Sequence, residues 1–226
     1  MVSYALLYDD NRLYLPLQRF LKRALDISGA AVGLIFLSPL FLVIAIMVRS
    51  DRGPVFFIQK RIGKNGRIFS CYKFRSMDVD AEETLAEYIA ANPSAAATWE
   101  KFQKLEDDIG VTWVGRFMRP AGIDELPQLL NVLMGDMSLV GPRPITPKQQ
   151  KYYGKNLVFY DAMRPGITGL WQVSGRNERT FAERIQLECR YVREWNLWLD
   201  MTILLRTIPV ILKSNASLAN AAETQA

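Results

Sequence analysis

Residues 27–48 read ISGAAVGLIFLSPLFLVIAIMV, twenty-two positions without a charge and with Ser38-Pro39 near their centre. At about 1.5 Å of rise per residue this makes roughly 33 Å of helix, enough to cross a hydrocarbon core of about 30 Å. A single span is the simplest reading, and Pro39 argues against a straight one. It has no N–H to give to the carbonyl of Ile35, and its ring clashes with that group, leaving an orphan acceptor near mid-membrane. Ser38 can satisfy it, because a helical serine hydroxyl reaches back three or four residues, here to Ile35 or Leu34, while bending the helix. The flanks point the same way. Arg19, Lys22 and Arg23 precede the segment and Arg49 and Arg52 follow it, so the positive-residue bias that orients a spanning helix is nearly equal at its two ends. Each half is too short to cross alone. These residues favour a re-entrant helix-break-helix that dips into one leaflet over a kinked span, and on sequence alone both stay open. No small-residue cleavage site follows the apolar stretch, which argues against a removable signal peptide.

The 226 residues suffice for one domain plus one membrane element, and half of them are hydrophobic. The expected organisation is an adaptable arm at 1–18, the membrane helix at 19–50, a domain at 51–213 and a disordered tail at 214–226, whose composition offers almost nothing to bury. A net charge of +5 suits an anionic leaflet or a pyrophosphate-bearing substrate. Nucleic acid is not an expected partner, because the basic residues form no recognisable reading module.

Two absences constrain the chemistry. The chain has no histidine, which removes Ser-His and Cys-His nucleophile systems and leaves carboxylates to do such work. Cys71 and Cys189 are its two cysteines, so neither a zinc site nor a disulfide framework is expected. A metal, if used, should be a hard ion held by oxygen, Mg²⁺ first among them.

Within 53–77, two β-rich runs flank Lys64-Asn65-Gly66, an Asn-Gly hairpin signal. Residues 78–108, rich in Ala and Glu and interrupted at Asn92-Pro93, read as a surface helical hairpin. Residues 114–144 hold a helix between Pro- and Gly-rich loops. Along 195–213 the polar residues Asn196, Asp200, Arg206, Thr207 and Lys213 gather on one half of a helical wheel. That helix could lie in a membrane interface or pack against the core.

The chemical signal is GIDELPQLLNVL, in which Asp124 and Glu125 stand immediately before an apolar helical pattern. Pro127 is tolerated only in a first turn, which makes Asp124 the expected N-cap. There it would see unpaired N–H groups and the positive end of the helix dipole and stay ionised, as a metal ligand or nucleophile requires. An Asp-Glu pair facing phosphate needs a divalent ion to relieve repulsion between anions. Lys73, Arg75, Arg119, Arg143, Arg164 and Arg176 lie in loops and at strand ends, where a guanidinium can clamp phosphate.

KRALD (22–26), Ser38-Pro39, YKFRSM (72–77), IDELPQLLNVLMGDMSLVGPRP (123–144) and RPGITGLWQVSGRN (164–177) together resemble the bacterial sugar transferase family, the monotopic polyprenyl-phosphate phosphoglycosyl transferases. The likeness extends over about residues 19–213. It implies an α+β monotopic membrane protein, with an N-terminal re-entrant helix, a small β-hairpin and amphipathic interfacial helices around a cytosolic catalytic domain at the inner membrane. It further implies that Asp124 attacks the β-phosphate of a UDP-sugar, releases UMP, and hands the sugar phosphate to undecaprenyl phosphate. Glu125 matches the family's Mg²⁺ ligand. Arg119 and Arg143 match phosphate- and nucleotide-binding positions, Lys73, Arg75 and Arg176 match more weakly, and Lys22 and Asp26 match a pair at the point where the chain meets the membrane. Helical spacing would let that pair form an ion pair. LWQVSGRN looks like hexose-specific members using UDP-galactose or UDP-glucose. Gly122 stands where relatives often have a hydroxyl residue. The larger members also carry an N-terminal transmembrane bundle that is absent here, and a homodimer is compatible with the resemblance.

Overall fold

A computed structural model describes residues 15–50, 53–103, 105, 109–175 and 179–223. Helix α1 (Leu15–Arg49) has 35 residues and is long and apolar enough to cross a membrane. It begins inside the segment expected to be an arm. The interruption expected at Ser38-Pro39 does not occur, since the helix continues through Pro39. Ser38 Oγ donates to the Ile35 carbonyl at 2.8 Å, replacing the bond that the proline cannot make.

One stripe of α1 faces the rest of the chain. Asp26, Ala30, Ile44 and Val48 are buried, and Leu34, Leu37 and Phe41 pack between them. The other side presents Val32, Ile35, Phe36, Leu42 and Ile46, all more than half exposed. Such an unpaired apolar face suits lipid.

The expected hairpin forms from β1 (Phe56–Ile62) and β2 (Ile68–Phe74), antiparallel, with Phe56 opposite Phe74 and Ile62 opposite Ile68. Asn65 (φ 58°) and Gly66 (φ 71°) take the left-handed conformations of its turn, which is the reason this dipeptide serves there. The 78–108 hairpin appears as α2 (Ala81–Ala91) and α3 (Pro93–Phe102), meeting at Asn92.

Two helices occupy the stretch expected to hold one. Helix α4 (Trp113–Ala121) ends at Gly122, whose φ of 69° makes it a left-handed cap. A 3-10 turn, Ile123–Glu125, leads into α5 (Gln128–Met134). Asn131 of α5 accepts from the Tyr72 N–H at 3.0 Å and donates to the Ser70 carbonyl at 2.7 Å, so its amide covers the open edge of β2.

Strand β3 (Ser138–Val140) pairs in parallel with β4 (Gly166–Thr168), an element not anticipated from sequence. A Cβ on Gly166 would lie 2.0 Å from the Gly141 nitrogen, so only glycine admits this approach. Between the strands lies the short α6 (Leu157–Ala162). After β4 come α7 (Phe181–Glu194), opened by a Thr180–Glu183 capping box, and α8 (Leu197–Glu223), which continues past the start of the expected disordered tail.

Of the two readings of the C-terminal helix, packing against the core is seen on one face. Asp200 and Ile203 are buried where α8 packs against α4, β3 and β4, while Trp198, Leu205, Ile208 and Leu212 are exposed on its other face.

The Lys22–Asp26 ion pair is corrected. Lys22 Nζ instead donates to Asp200 Oδ2 at 2.6 Å and to the Val140 carbonyl at 2.9 Å. Asp26 accepts from Ser138 Oγ at 3.0 Å and the Leu139 N–H at 2.9 Å. Both side chains point into a packed surface, where tertiary donors and acceptors must be satisfied first. The Lys22–Asp200 bridge ties α1 to α8 with side chains only 13% and 7% exposed, so breaking it strands a charge. Asp200→Leu should destabilise the protein by about 3 kcal/mol. Adding Lys22→Met should recover more than half of that, read from unfolding midpoints in detergent.

Candidate active site

The turn that follows Gly122 brings two adjacent carboxylates, Asp124 and Glu125, into the interior, each 8% exposed. Asp124 is not the N-cap expected from Pro127. It sits inside the 3-10 turn, and Pro127 itself occupies the cap position of α5 without a side-chain bond. Backbone torsions at Leu126 and Pro127 are helical, so the turn and α5 run on without a free helix end between them.

Glu125 is held from two sides. Lys73 Nζ on β2 donates to its Oε1 at 2.6 Å. Arg143 donates in bidentate fashion, Nη1 to Oε2 at 2.9 Å and Nη2 to Oε1 at 2.5 Å. Burial by itself would push the Glu125 carboxyl up; Arg143 and Lys73, through charge and direct hydrogen bonds, hold it well below the usual range. Asp124 behaves oppositely. Burial raises its carboxyl, opposed by Lys73, reinforced by the charge of Glu125, and opposed again by Arg143 and Arg119. Asp124 does not stand at a free helix end as expected, and the charges that favour its ionised form are those of Lys73, Arg143 and Arg119. Among the described residues no group donates a hydrogen bond to the Asp124 carboxylate.

Arg143 stands between Pro142 and Pro144 and is itself clamped. Its N–H donates to Glu188 Oε1 at 3.1 Å, and its carbonyl accepts from Arg184 Nη2 at 3.0 Å. Arg184 Nε also donates to Glu188 Oε1 at 2.8 Å, and the Tyr153 hydroxyl donates to the other oxygen of Glu188. The Trp171 ring lies under both guanidinium groups, 5.8 Å from Arg143 and 5.1 Å from Arg184. Arg61 on β1 donates to the Pro144 carbonyl at 3.0 Å and to Gln59 Oε1 at 2.5 Å. Burial and the neighbouring Arg143 charge lower its pKa. Gln128, fully buried one helical turn after Asp124, leaves both amide atoms unpartnered among the described residues.

Of the cations expected to bind phosphate, Lys73 and Arg143 meet at Glu125, and the exposed Arg119 is near enough for its charge to act on Asp124. Arg75 and Arg164 do not meet the carboxylate pair in this structure. Arg75 donates to the Pro54 carbonyl at 2.7 Å and the Val48 carbonyl at 3.0 Å, fastening the end of α1 to the hairpin. Arg164 donates to the Gly135 carbonyl at 2.7 Å, at the far end of α5. In both cases an orphan helix carbonyl claims the guanidinium. Arg176 lies outside the described residues.

Arg61, Arg184, Glu188 and Tyr153 were not singled out from sequence. Arg184 and Glu188 have ion-pair spacing on a helix, a signal too common to mark a site.

Among the described residues no cluster of three or more metal-binding side chains occurs, so an all-protein cage is absent. The donor set nevertheless fits Mg²⁺, which is ordinarily held by one or two carboxylates, waters and substrate phosphates. Glu125 and Asp124 offer such carboxylates. The cations on Glu125 are of the kind that phosphate oxygens can take over.

A buried carboxylate pair and converging cations thus stand in a chain whose first helix presents an apolar face suited to lipid. The chain belongs to the bacterial sugar transferase family, whose model matches residues 17–214. It is 45% identical over 212 residues to the undecaprenyl-phosphate galactose phosphotransferase of Salmonella typhimurium, an alignment covering 94% of this chain and 44% of that protein. It is 44% identical over 203 residues to the exopolysaccharide production protein ExoY of Rhizobium meliloti, covering 89% and 90%. A UDP-glucose:undecaprenyl-phosphate glucose-1-phosphate transferase of Caulobacter vibrioides is 39% identical over 203 residues, covering 86% of this chain and 70% of the relative. The chain thus spans less than half of the Salmonella relative and most of the Rhizobium one.

Arg143→Lys keeps the charge but loses the bidentate grip on Glu125. We expect turnover to fall by at least about tenfold, the effect of losing one such hydrogen bond in the transition state, with the folded state retained by circular dichroism. Unchanged turnover would separate the Arg143–Glu125 contact from catalysis.

Proposed function

We propose that this protein transfers a sugar 1-phosphate from a UDP-sugar to undecaprenyl phosphate at the cytoplasmic face of the bacterial inner membrane, the first membrane step of exopolysaccharide or O-antigen synthesis. The observation that carries this reading is the contrast within the dyad. Glu125 is engaged by Lys73 and Arg143, whereas Asp124 is buried beside the same cations and, among the described residues, accepts no hydrogen bond on its carboxylate.

In the first half-reaction an Asp124 carboxylate oxygen attacks the β-phosphorus of the UDP-sugar. The bond from that phosphorus to the bridging oxygen breaks, and UMP leaves with the electron pair. The sugar keeps its C1–O bond and is held as an aspartyl phosphosugar. A phosphate oxygen of undecaprenyl phosphate then attacks the same phosphorus and expels the Asp124 carboxylate, giving undecaprenyl-diphosphate sugar. One site serves a donor and then an acceptor, so a soluble and a lipid substrate need never be bound together.

Lys73, Arg119 and Arg143 supply positive charge for the phosphate oxygens. Glu125 would hold Mg²⁺, which when bound neutralises phosphate charge. Trp171 lies against the Arg143 guanidinium, and Glu188 holds the Arg143 backbone N–H. Galactose and glucose are the sugars in the relatives' names that fit the hexose-like LWQVSGRN motif.

A re-entrant α1 is part of the reading. The helix docks near its start on β3 and α8 and near its end on β2 and α4. A domain gripping both ends of one helix supports a shallow path with both ends on one face. Cysteines placed before Arg19 and after Arg49 should label from the cytoplasmic side only. Ser38-Pro39→Ala-Ala tests whether those two residues set the path, and a terminus that becomes periplasmic would show that they do.

The decisive assay is nucleotide release by purified protein with Mg²⁺, undecaprenyl phosphate and UDP-galactose or UDP-glucose. UMP is expected, with Asp124→Asn losing at least about 10³-fold of turnover and forming no covalent adduct. Release of UDP would make the protein a plain glycosyltransferase, and an active Asp124→Asn variant would remove the nucleophile assignment.

A further inference from the structure

Helix α5 and the turn before it present two buried side-chain amides on the face toward β2, and fold packing employs one of them. From Gly122 to Leu130 the backbone closes hydrogen bonds across three residues: the Glu125 N–H donates to the Gly122 carbonyl, Leu126 to Ile123, Leu129 to Leu126 and Leu130 to Pro127. At three residues per turn, side chains three apart lie over one another, so Glu125, Gln128 and Asn131 share one face. Both ends of that row are fixed to β2, Glu125 by Lys73 and Asn131 by Ser70 and Tyr72. Gln128, between them, faces the same strand one turn from the carboxylate pair.

The Asn131 amide has both its oxygen and its nitrogen paired with β2 backbone. Gln128 is 1% exposed, and among the described residues neither its Oε1 nor its Nε2 has a partner. An amide buried in this way gives up its hydration and recovers nothing from the fold, whereas an apolar side chain of similar length would fill the space without that loss. Gln172, also buried, still donates to the Ile167 carbonyl at 3.4 Å. Gln128 is therefore the one buried amide, among the described residues, whose donor and acceptor are both unused.

The groups around it select what it can bind. Lys73 and Arg143 supply cations and Asp124 the attacking oxygen, so a further, neutral N–H suits a non-bridging phosphate oxygen. The amide carbonyl needs a donor, which an ionised phosphate lacks and a hydroxyl has. A sugar 1-phosphate carries both groups side by side. In the proposed reaction the phosphorus attacked by Asp124 stays with the sugar, and the UMP phosphate lies one bridging oxygen farther away. Phosphate that reaches Asp124, itself 8% exposed, has already entered the interior beside this amide.

We infer that Gln128 holds the transferred sugar 1-phosphate, its amide N–H on a non-bridging oxygen of the phosphorus that Asp124 attacks and its carbonyl on a sugar hydroxyl. The inference rests on the proposed phosphoglycosyl transfer and adds the group that grips the part of the donor absent from UMP. The contact serves both half-reactions, because the sugar phosphate is common to the donor, the aspartyl adduct and the product.

The test uses the full chain in detergent with Mg²⁺, in an Asp124→Asn background in which no adduct is expected, and titrates UDP-galactose, UDP-glucose and UMP by calorimetry. Adding Gln128→Met should weaken sugar-nucleotide binding about tenfold, the worth of one hydrogen bond to a charged group, and leave UMP binding unchanged. Its unfolding midpoint without ligand should equal or exceed that of the parent, because no unpaired amide is then buried. Gln128→Glu, of the same outline, should weaken sugar-nucleotide binding further, since a carboxylate repels phosphate, and it decides by the same comparison if the methionine variant does not fold. Equal sugar-nucleotide affinities of parent and variants would overturn the inference. So would an equal loss for UDP-sugar and UMP, the mark of a structural role, or a parent that binds neither sugar nucleotide. The two failures are separable: a wild-type chain that releases no UMP defeats the proposed transfer, whereas equal affinities in this titration defeat the role of Gln128 alone.

Discussion

Glu125 is a carboxylate in the interior, and a buried charge must be paired or it destabilises the fold that contains it. Three parts of the chain meet that requirement. Strand β2 brings Lys73, the proline-bounded loop brings Arg143, and α7 holds the loop through Glu188 and Arg184. Because Arg143 has its side chain, N–H and carbonyl all occupied, the loop cannot shift without exposing a second buried carboxylate, Glu188. The pairing of Glu125 thus rigidifies the wall of the site and leaves Asp124, next in the chain, as the carboxylate without a partner among the described residues.

Helix α5, which follows the dyad, is coupled to the long apolar helix α1. Asn131 pins α5 to the edge of β2, Arg23 of α1 binds its last carbonyls, and Ala30 of α1 packs with Leu129 and Val132. A displacement of α1 is therefore a displacement of α5. The Lys22–Asp200 bridge extends this coupling to α8, whose Trp198, Leu205 and Ile208 stay exposed. Apolar faces on α1 and α8 and the dyad just before α5 belong to one packed unit, as the proposed reaction between a soluble donor and a lipid acceptor would need.

Local signals in the sequence were read well where one residue's chemistry decides a local structure. The Asn65-Gly66 turn, the Asn92-Pro93 break and the Ser38 hydroxyl on the Ile35 carbonyl all follow from backbone rules that need no distant partner. The dyad stood out because two carboxylates beside prolines and arginines, in a chain without histidine, leave few other groups for the chemistry. Failures occurred wherever distant groups compete for one side chain. Arg75 and Arg164 donate to carbonyls away from the carboxylate pair, and Lys22 has Asp200 as its partner, 178 residues away, in place of Asp26. Strands β3 and β4, three residues each, are too short to carry a periodic signal.

The sequence by itself determined that this chain has one long apolar helix, a hairpin with a left-handed turn and a carboxylate pair amid cations, because composition and local torsion preferences travel with the residues. Tertiary packing alone set which cations meet Glu125, which charges surround Asp124, and how α1 grips α5. Those outcomes depend on burial, which removes water as the default partner and makes each polar group take the nearest protein partner that folding supplies.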